Sequence, residues 1–262
     1  MTFGPEHEAP RTDGGDFSDA VTVAFGDPAA ELYGVARLGL AEGAASGLAL
    51  LFWRGEPVAV SAEGGVEIDA PSSWDEVSAA GLDTSVIDPL RSWRLHFAGD
   101  DASLDLELEA TGPVAELDAS HPVARVGGMA GYEQPVRVRG EAVVGSDRLS
   151  VDGLGQRGHS WGAPDWDRIE LARTVSAWLG DDLAVSLTAV RPAGKRDHAA
   201  EAVVAAILDR DEYGVSRTID VADPRLSTTY DDEGRQRQAG LELWIDENGY
   251  PRRAAGEIAC GT

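Results

Sequence analysis

Leu104, Leu106 and Leu108 alternate with Asp105, Glu107 and Glu109, and a strict two-residue period leaves few folds open to a chain. On an extended backbone successive side chains point to opposite faces, so these residues describe a strand with one buried and one wet side. The pattern recurs. Val136, Val138 and Ala142 alternate with Arg137, Arg139 and Glu141. Leu183, Val185 and Leu187 alternate with Ala184, Ser186 and Thr188, and Leu241, Leu243 and Ile245 with Glu242, Trp244 and Asp246. Each run reads as an antiparallel strand solvated on one side. Arg54-Gly55-Glu56 and Gly145-Ser146-Asp147 punctuate the runs, and Asn248-Gly249 suits a type I′ hairpin, whose central residues need positive φ. Many short strands joined by Gly-rich turns indicate an all-β sandwich or barrel with little helix. Strand content should exceed about 40%, against roughly 20–25% for an ordinary domain.

Helix signals are sparse. Ser73-Trp74-Asp75-Glu76 fits a capping box and predicts about two helical turns ending at Gly81. Residues 200–209 admit both a helical spacing and an extended reading. With 262 residues, 43% of them hydrophobic, the chain can bury a core; its length suits one large all-β domain or two domains of roughly 100–150 residues. The Gly-rich stretch near 160–168 predicts a boundary. This gives a flexible polar segment 1–18, an N-terminal domain 19–162 and a C-terminal domain 163–262. Ile258 to Thr262 break off within a strand-like run, so the second domain is expected to be short.

Charge excludes some partners. The formal net charge is −24, divided as −18 in residues 1–120 and −6 in 121–262. Nucleic acids and anionic lipid surfaces select basic patches, and no basic cluster offsets the acids here, so neither is expected as a partner. No apolar run approaches the roughly 20 residues of a membrane span. Met1 to Asp19 lacks an apolar signal core, and the expected location is the cytoplasm. Cys260 is the single cysteine, which excludes an intrachain disulfide and a Cys-based zinc site. Gly153-x-Gly155 precedes strand-like sequence rather than a helix, and no Gly-x-Ser-x-Gly elbow occurs. No metal and no cofactor are expected.

One segment is chemically dense. Residues 152–166 set His159, Arg157, Asp165, Trp161 and Trp166 among Gly153, Gly155 and Gly158. His159 and Trp161 are two apart and share one face of an extended chain, and Asp165 can orient His159 or Arg157 by a charge-assisted hydrogen bond. The residue types admit two readings. In one, Trp161 and Trp166 pack at a domain junction with Arg157–Asp165 as a buried tie; in the other, the segment faces a ligand. Tyr132-Glu133 is the second constellation: Glu133 is a general acid if an apolar pocket raises its pKa, or else part of a strand-edge pair tying the mouth of a barrel. His96 and His121 read as surface or packing residues, and His7 and His198 carry no assigned role.

Gly153 to Trp166, as Gly-x-Gly-x-Arg-x-His-Ser-Trp-Gly-x-x-Asp-Trp, resembles the signature of the AttH/carotenoid 1,2-hydratase (hydroxyneurosporene synthase)-like superfamily. Pro89 to Leu95 and Tyr132-Glu133-Gln134-Pro135 fit as well, and the resemblance covers roughly residues 20–260. It implies two lipocalin-like antiparallel β-barrel domains packed together, with an apolar pocket near their junction and hydratase or cyclase chemistry that needs no metal. In the hydratases of that superfamily the His-x-Trp element supports a proton-donating aspartate; by motif match these are His159 and Trp161. The chain departs from the pattern twice. Leu183 to Pro192, the strand expected to carry the donor carboxylate, has no acid between Asp182 and Asp197. The usual Arg-Asp-His is here Arg157-Gly158-His159.

Together these features point to an apolar small-molecule ligand, isoprenoid, polyketide or steroid-like, bound at the inter-domain pocket. His159, Trp161 and Glu133 are the catalytic candidates, Tyr132 and Trp166 would line the ligand, and Arg157 and Asp165 would be bonded behind them. Hydration, cyclisation or isomerisation by proton transfer is the expected chemistry. A non-catalytic carrier of hydrophobic ligands is the alternative.

Overall fold

The computed structural model describes residues 3–11, 15–180, 182–197, 200–210, 216–233, 236–245 and 249–257. Asp246, Asn248, His198, Cys260 and the final run from Ile258 lie outside the described residues, and with them the expected Asn248-Gly249 hairpin.

The first half comprises β1 (Ser18–Asp27), β2 (Leu32–Ala41), β3 (Ala44–Trp53), β4 (Glu56–Glu67), β5 (Ser78–Ala79), β6 (Leu82–Asp88), β7 (Ser92–Ala98), β8 (Ala102–Ala110), β9 (Ala115–Leu117), β10 (Met129–Val144) and β11 (Asp147–Gly162). These 11 strands form one antiparallel sheet in the order β4-β3-β2-β1-β11-β10-β8-β7-β6-β5, with β9 paired to β10. Alternation decides its faces. In β8, Leu104, Leu106 and Leu108 are buried while Asp105, Glu107 and Glu109 are exposed. Between β3 and β4, Arg54 and Gly55 take φ of 55° and 83°, as a two-residue hairpin requires.

The sheet curls into a nearly closed barrel around Phe25, Leu38, Leu51, Trp74, Leu106 and Val138. Closure brings β5 back against the other end of the sheet. Ala80 N donates to Glu63 Oε2 at 2.7 Å and Ser61 Oγ to Ala80 O at 2.9 Å. The helix expected after Ser73 is only a single turn, Trp74–Glu76, capped by Ser73 Oγ, which accepts from Asp75 N. Burial of Trp74 and Val77 in the barrel outweighs the local capping signal and turns the chain directly into β5.

The second half contains β12 (Ile169–Gly180), β13 (Leu183–Pro192), β14 (Ala202–Arg210) and β15 (Ser216–Asp220) in one sheet. A second sheet holds β16 (Asp223–Tyr230), β17 (Gln236–Trp244) and β18 (Arg252–Glu257). The extended reading of 200–209 is the one realised, because Ala205 and Ile207 pack with Val185, Leu187, Leu241 and Leu243 between the two sheets. The other face of the four-stranded sheet turns toward the first barrel, where Gln156 Nε2 lies 3.4 Å from Ser186 Oγ and Thr218 Oγ1 donates to Val114 O at 3.1 Å. Strand accounts for 67% of the structure and helix for 7%. The one α-helix among the described residues, α1 (Pro122–Gly127), escaped the sequence reading; His121 caps it by accepting from Val123 N, and Gly128 ends it at φ 68°. No described helix is long and apolar enough to cross a membrane.

Barrel closure is testable at a glycine. A Cβ at Gly47 would fall 2.4 Å from Ala79 O, whereas one at Gly64 meets nothing nearer than 4.0 Å. Gly47→Ala should therefore lower stability in urea denaturation by about 1–3 kcal/mol, with Gly64→Ala within about 0.5 kcal/mol of the parent.

Candidate functional site

β11 runs between β1 and β10, and its register sorts the dense segment onto two faces. Arg157, His159 and Trp161 lie opposite Val23, Val21 and Asp19 on β1, and opposite Gln134, Tyr132 and Ala130 on β10. This is the interior face of the first barrel. Gln156, Gly158 and Ser160 lie opposite Ala24, Thr22 and Ala20, and opposite Pro135, Glu133 and Gly131. That face looks toward the four-stranded sheet.

On the interior face the partners come from the N-terminal segment. Glu8, 4% exposed, receives Arg157 Nη2 at 2.5 Å, Trp93 Nε1 at 3.2 Å and Leu90 N at 3.1 Å. Arg157 Nη1 also donates to Tyr132 Oη at 2.9 Å, and its guanidinium lies 4.6 Å from the Trp93 ring centre. Burial pushes the Tyr132 phenol well above its ordinary value, against the pull of Arg157, so it stays neutral. His159 is wholly buried: Nε2 is 2.7 Å from Asp19 Oδ1 and Nδ1 is 2.8 Å from His7 O. Arg11 stacks 3.6 Å over Trp161 and gives its backbone N–H to Asp19 Oδ2 at 2.6 Å, and the Phe3 ring meets Tyr132 edge-on at 5.2 Å.

These contacts correct three expectations. Residues 3–11, within the segment expected to be flexible, plug the barrel mouth and neutralise its cation. Arg157 pairs with Glu8, not with Asp165, which is exposed at the start of a single turn and caps nothing with its side chain. His159 and Trp161 share a face, as their spacing requires, and both ring nitrogens of His159 are held by Asp19 and His7 inside the barrel; His159 and Tyr132 still border the cavity between the two halves, whereas Trp161 is not among its lining residues.

The opposite face borders a cavity of about 440 Å³ between the two halves, with Val35, Met129, Ile169, Val190, Val204 and Ala206 among its apolar walls. This falls within the range of small-molecule sites, roughly 300–1,000 Å³. Trp166 stands at its edge, 62% exposed. Glu133 enters from β10. Its Oε2 accepts from Gln156 Nε2 at 2.6 Å, and Gln156 Oε1 in turn accepts from Ser176 Oγ of β12. A Cβ at Gly158 would sit 2.4 Å from Glu133 Oε2 and 2.5 Å from Oε1, so the carboxyl lies over the bare backbone of that glycine. Among the described residues no hydrogen bond is made to Oε1. Burial, only partly opposed by Gln156 and Arg157, raises the Glu133 pKa to about 7. Near neutrality this carboxyl can therefore either give or take a proton. Among the described residues, no three His, Cys, Asp or Glu side chains come together as a metal site would require.

The sequence reading missed Glu8, Asp19, Gln156 and Arg37. Period two placed Gln156 on the face opposite Arg157, which was a usable signal. Nothing local marked Glu8, which lies 149 residues from its partner.

A curled antiparallel barrel, a second pair of sheets and a cavity between them are a fold that solved structures share. The chain is similar to an AttH protein from Nitrosomonas europaea, with TM-score 0.63, 16% identity and coverage of 88% of this chain and 77% of that one. It is similar to kievitone hydratase from Nectria haematococca, with TM-score 0.62, 14% identity and coverage of 93% and 77%. CghA in complex with Sch210972 follows, with TM-score 0.56, 11% identity and coverage of 87% and 72%. No curated protein matches the sequence. Residues 4–250 match the family described as a domain of unknown function, DUF7064, and the chain belongs to that family.

Two outcomes check the electrostatics. Glu8→Ala leaves Arg157 buried without its carboxylate and should cost about 3–5 kcal/mol in chemical denaturation, whereas exposed Asp165→Ala should change stability by less than about 0.5 kcal/mol. The raised pKa of Glu133 means that the folded state holds its proton more tightly than the unfolded chain. Its contribution is complete below the unfolded value and is lost as pH rises through about 7. Thermal melts from about pH 5 to 8 should show wild type losing stability relative to Glu133→Gln.

Proposed function

We propose that the cavity binds an apolar small molecule, isoprenoid, polyketide or steroid-like, and that Glu133 exchanges a proton with it, making the chain a hydratase or a cyclase- or isomerase-type catalyst. The observation that carries this reading is a single carboxyl titrating near 7, its Oε1 unbonded, on the wall of a mostly apolar cavity of about 440 Å³. In a hydration, Glu133 Oε1–H gives its proton to one carbon of a double bond and the resulting carboxylate keeps the Gln156 hydrogen bond. Water adds to the cationic carbon, and its surplus proton returns to Glu133, restoring the acid. Gln156, fixed by Ser176 and Ser186, holds the carboxyl oriented in both states. His159, Arg157 and Tyr132 act on this site through the shared strands, by keeping the barrel wall in register, while Trp161 stays under Arg11 and Trp166 flanks the opening.

The fold supports the same direction, since one structural neighbour is kievitone hydratase. The test combines mass spectrometry of organic extracts of the purified protein with incubation against candidate polyenes and polyketides. Glu133→Gln should retain ligand and lose turnover by about 10²–10⁴-fold, and wild-type turnover by the protonated acid should decline as pH rises through about 7. Unchanged turnover in Glu133→Gln overturns the assignment of the acid. A ligand retained by a protein that turns over none of the candidates favours the carrier.

A further inference from the structure

One charged group on the cavity wall has no part in the proton exchange. Arg37 borders the cavity, half-buried, and among the described residues it has no hydrogen bond or ion pair. The other arginine on the cavity wall, Arg173, is paired with Glu201. Burial pulls the Arg37 pKa below the usual arginine value, and Asp19, through its charge alone, only partly opposes this. A half-buried cation on an apolar wall, with no partner among the described residues, marks a place where an anion is expected. The nearest alternative on the wall, Glu116, is exposed and has a partner of its own.

Register fixes where Arg37 stands relative to the acid. Arg37 on β2 lies opposite Thr22 on β1, Thr22 opposite Gly158 on β11, and Gly158 opposite Glu133 on β10. These four residues form one row across the cavity face. Three strand spacings of about 4.8 Å place the Arg37 and Glu133 backbones about 14 Å apart. The Glu133 carboxyl lies over the bare backbone of Gly158, so along this row only Thr22 stands between it and Arg37. The guanidinium lies along its own strand over Gly39, where a Cβ would fall 2.9 Å from Nη1. The cavity thus has a proton donor at one side, a guanidinium without a partner among the described residues at the other, and apolar walls between.

We propose that Arg37 is the carboxylate-binding residue of this cavity and that its ligand is an amphipathic apolar acid, the hydrocarbon body spanning the floor from Arg37 to Glu133. This rests on the reading of the cavity as a ligand site. A planar carboxylate accepts two parallel N–H bonds from a guanidinium, which fixes the orientation of the ligand as well as its affinity. With Glu133 protonated, the carboxylate and Arg37 cancel, whereas a neutral hydrocarbon would leave the arginine charge buried and unpaired.

The test titrates the protein with cis-parinaric acid and with its methyl ester, followed by polyene fluorescence and tryptophan quenching. Wild type should bind the acid at least about tenfold more tightly than the ester, a difference of about 1.4 kcal/mol. Arg37→Met should erase this preference by weakening the acid alone, Arg37→Lys should retain part of it, and Glu133→Gln should leave it intact. Equal binding of acid and ester by wild type, a comparison that needs no variant, overturns the carboxylate subsite while the cavity reading stands. A preference that survives Arg37→Met does the same. Failure of wild type to bind either probe overturns the cavity reading and the subsite with it.

Discussion

The two-sided character of β11 is the constraint on which the rest of the arrangement depends. A strand inside a closed barrel must offer one face to the barrel interior, and here its other face is also covered, by β12 and β13 of the second half. Neither face is apolar at this point. Each buried polar group must therefore find its partner within the protein, and the partners on the two sides differ in kind. Inside the barrel they are charges: Glu8 for Arg157, and Asp19 for His159. On the cavity side they are neutral, with Gln156, Ser176 and Ser186 around a carboxyl that burial keeps close to half-protonated at neutral pH.

This difference separates groups whose charges are satisfied within the fold from a carboxyl whose proton is held by desolvation. A buried guanidinium with a carboxylate at 2.5 Å has its charge satisfied and both groups committed, and removing either leaves an unmet charge. Glu133 has no such cation at contact distance. Its pKa is set chiefly by desolvation, which leaves the proton available. The His-x-Trp element, chemically the most conspicuous part of the sequence, falls on the committed side. Both His159 nitrogens and the Trp161 face are occupied, by His7, Asp19 and Arg11. The N-terminal segment is thus a structural part of the first barrel, held through Glu8, His7 and Arg11.

Much of the fold was legible because its signals are local. Leu104 to Glu109 alternate in sequence and alternate in burial, and Arg54-Gly55 makes the turn its glycine suggests. What was not legible is non-local. Period two groups Arg157, His159 and Trp161 together but does not say which face of the strand meets the barrel interior, since both faces carry polar side chains. The Asp165 partner for Arg157 was inferred from nearness in sequence, while the partner that exists, Glu8, is 149 residues away. The helix expected from Ser73 yielded for the same reason: its capping signal is local, and the burial of Trp74 in a barrel assembled from distant strands outweighs it.

Gly158 decides where the Glu133 carboxyl can lie. The superfamily resemblance leads one to expect an aspartate between the arginine and the histidine, and by sequence alone its replacement with glycine reads as the loss of an acid. In the folded sheet position 158 lies directly opposite position 133 on the same face. A side chain at 158 would collide with the Glu133 carboxyl, whose oxygens stand 2.4 Å and 2.5 Å from the place a Cβ would take. Two carboxyls could not share that volume, and two charges could not share that desolvation. Glycine at 158 is therefore the condition for glutamate at 133 to lie flat across the strand, reach Gln156 and present Oε1 to the cavity. The Glu133 carboxyl thus lies across β11 over the backbone of Gly158, its direct partner in the sheet.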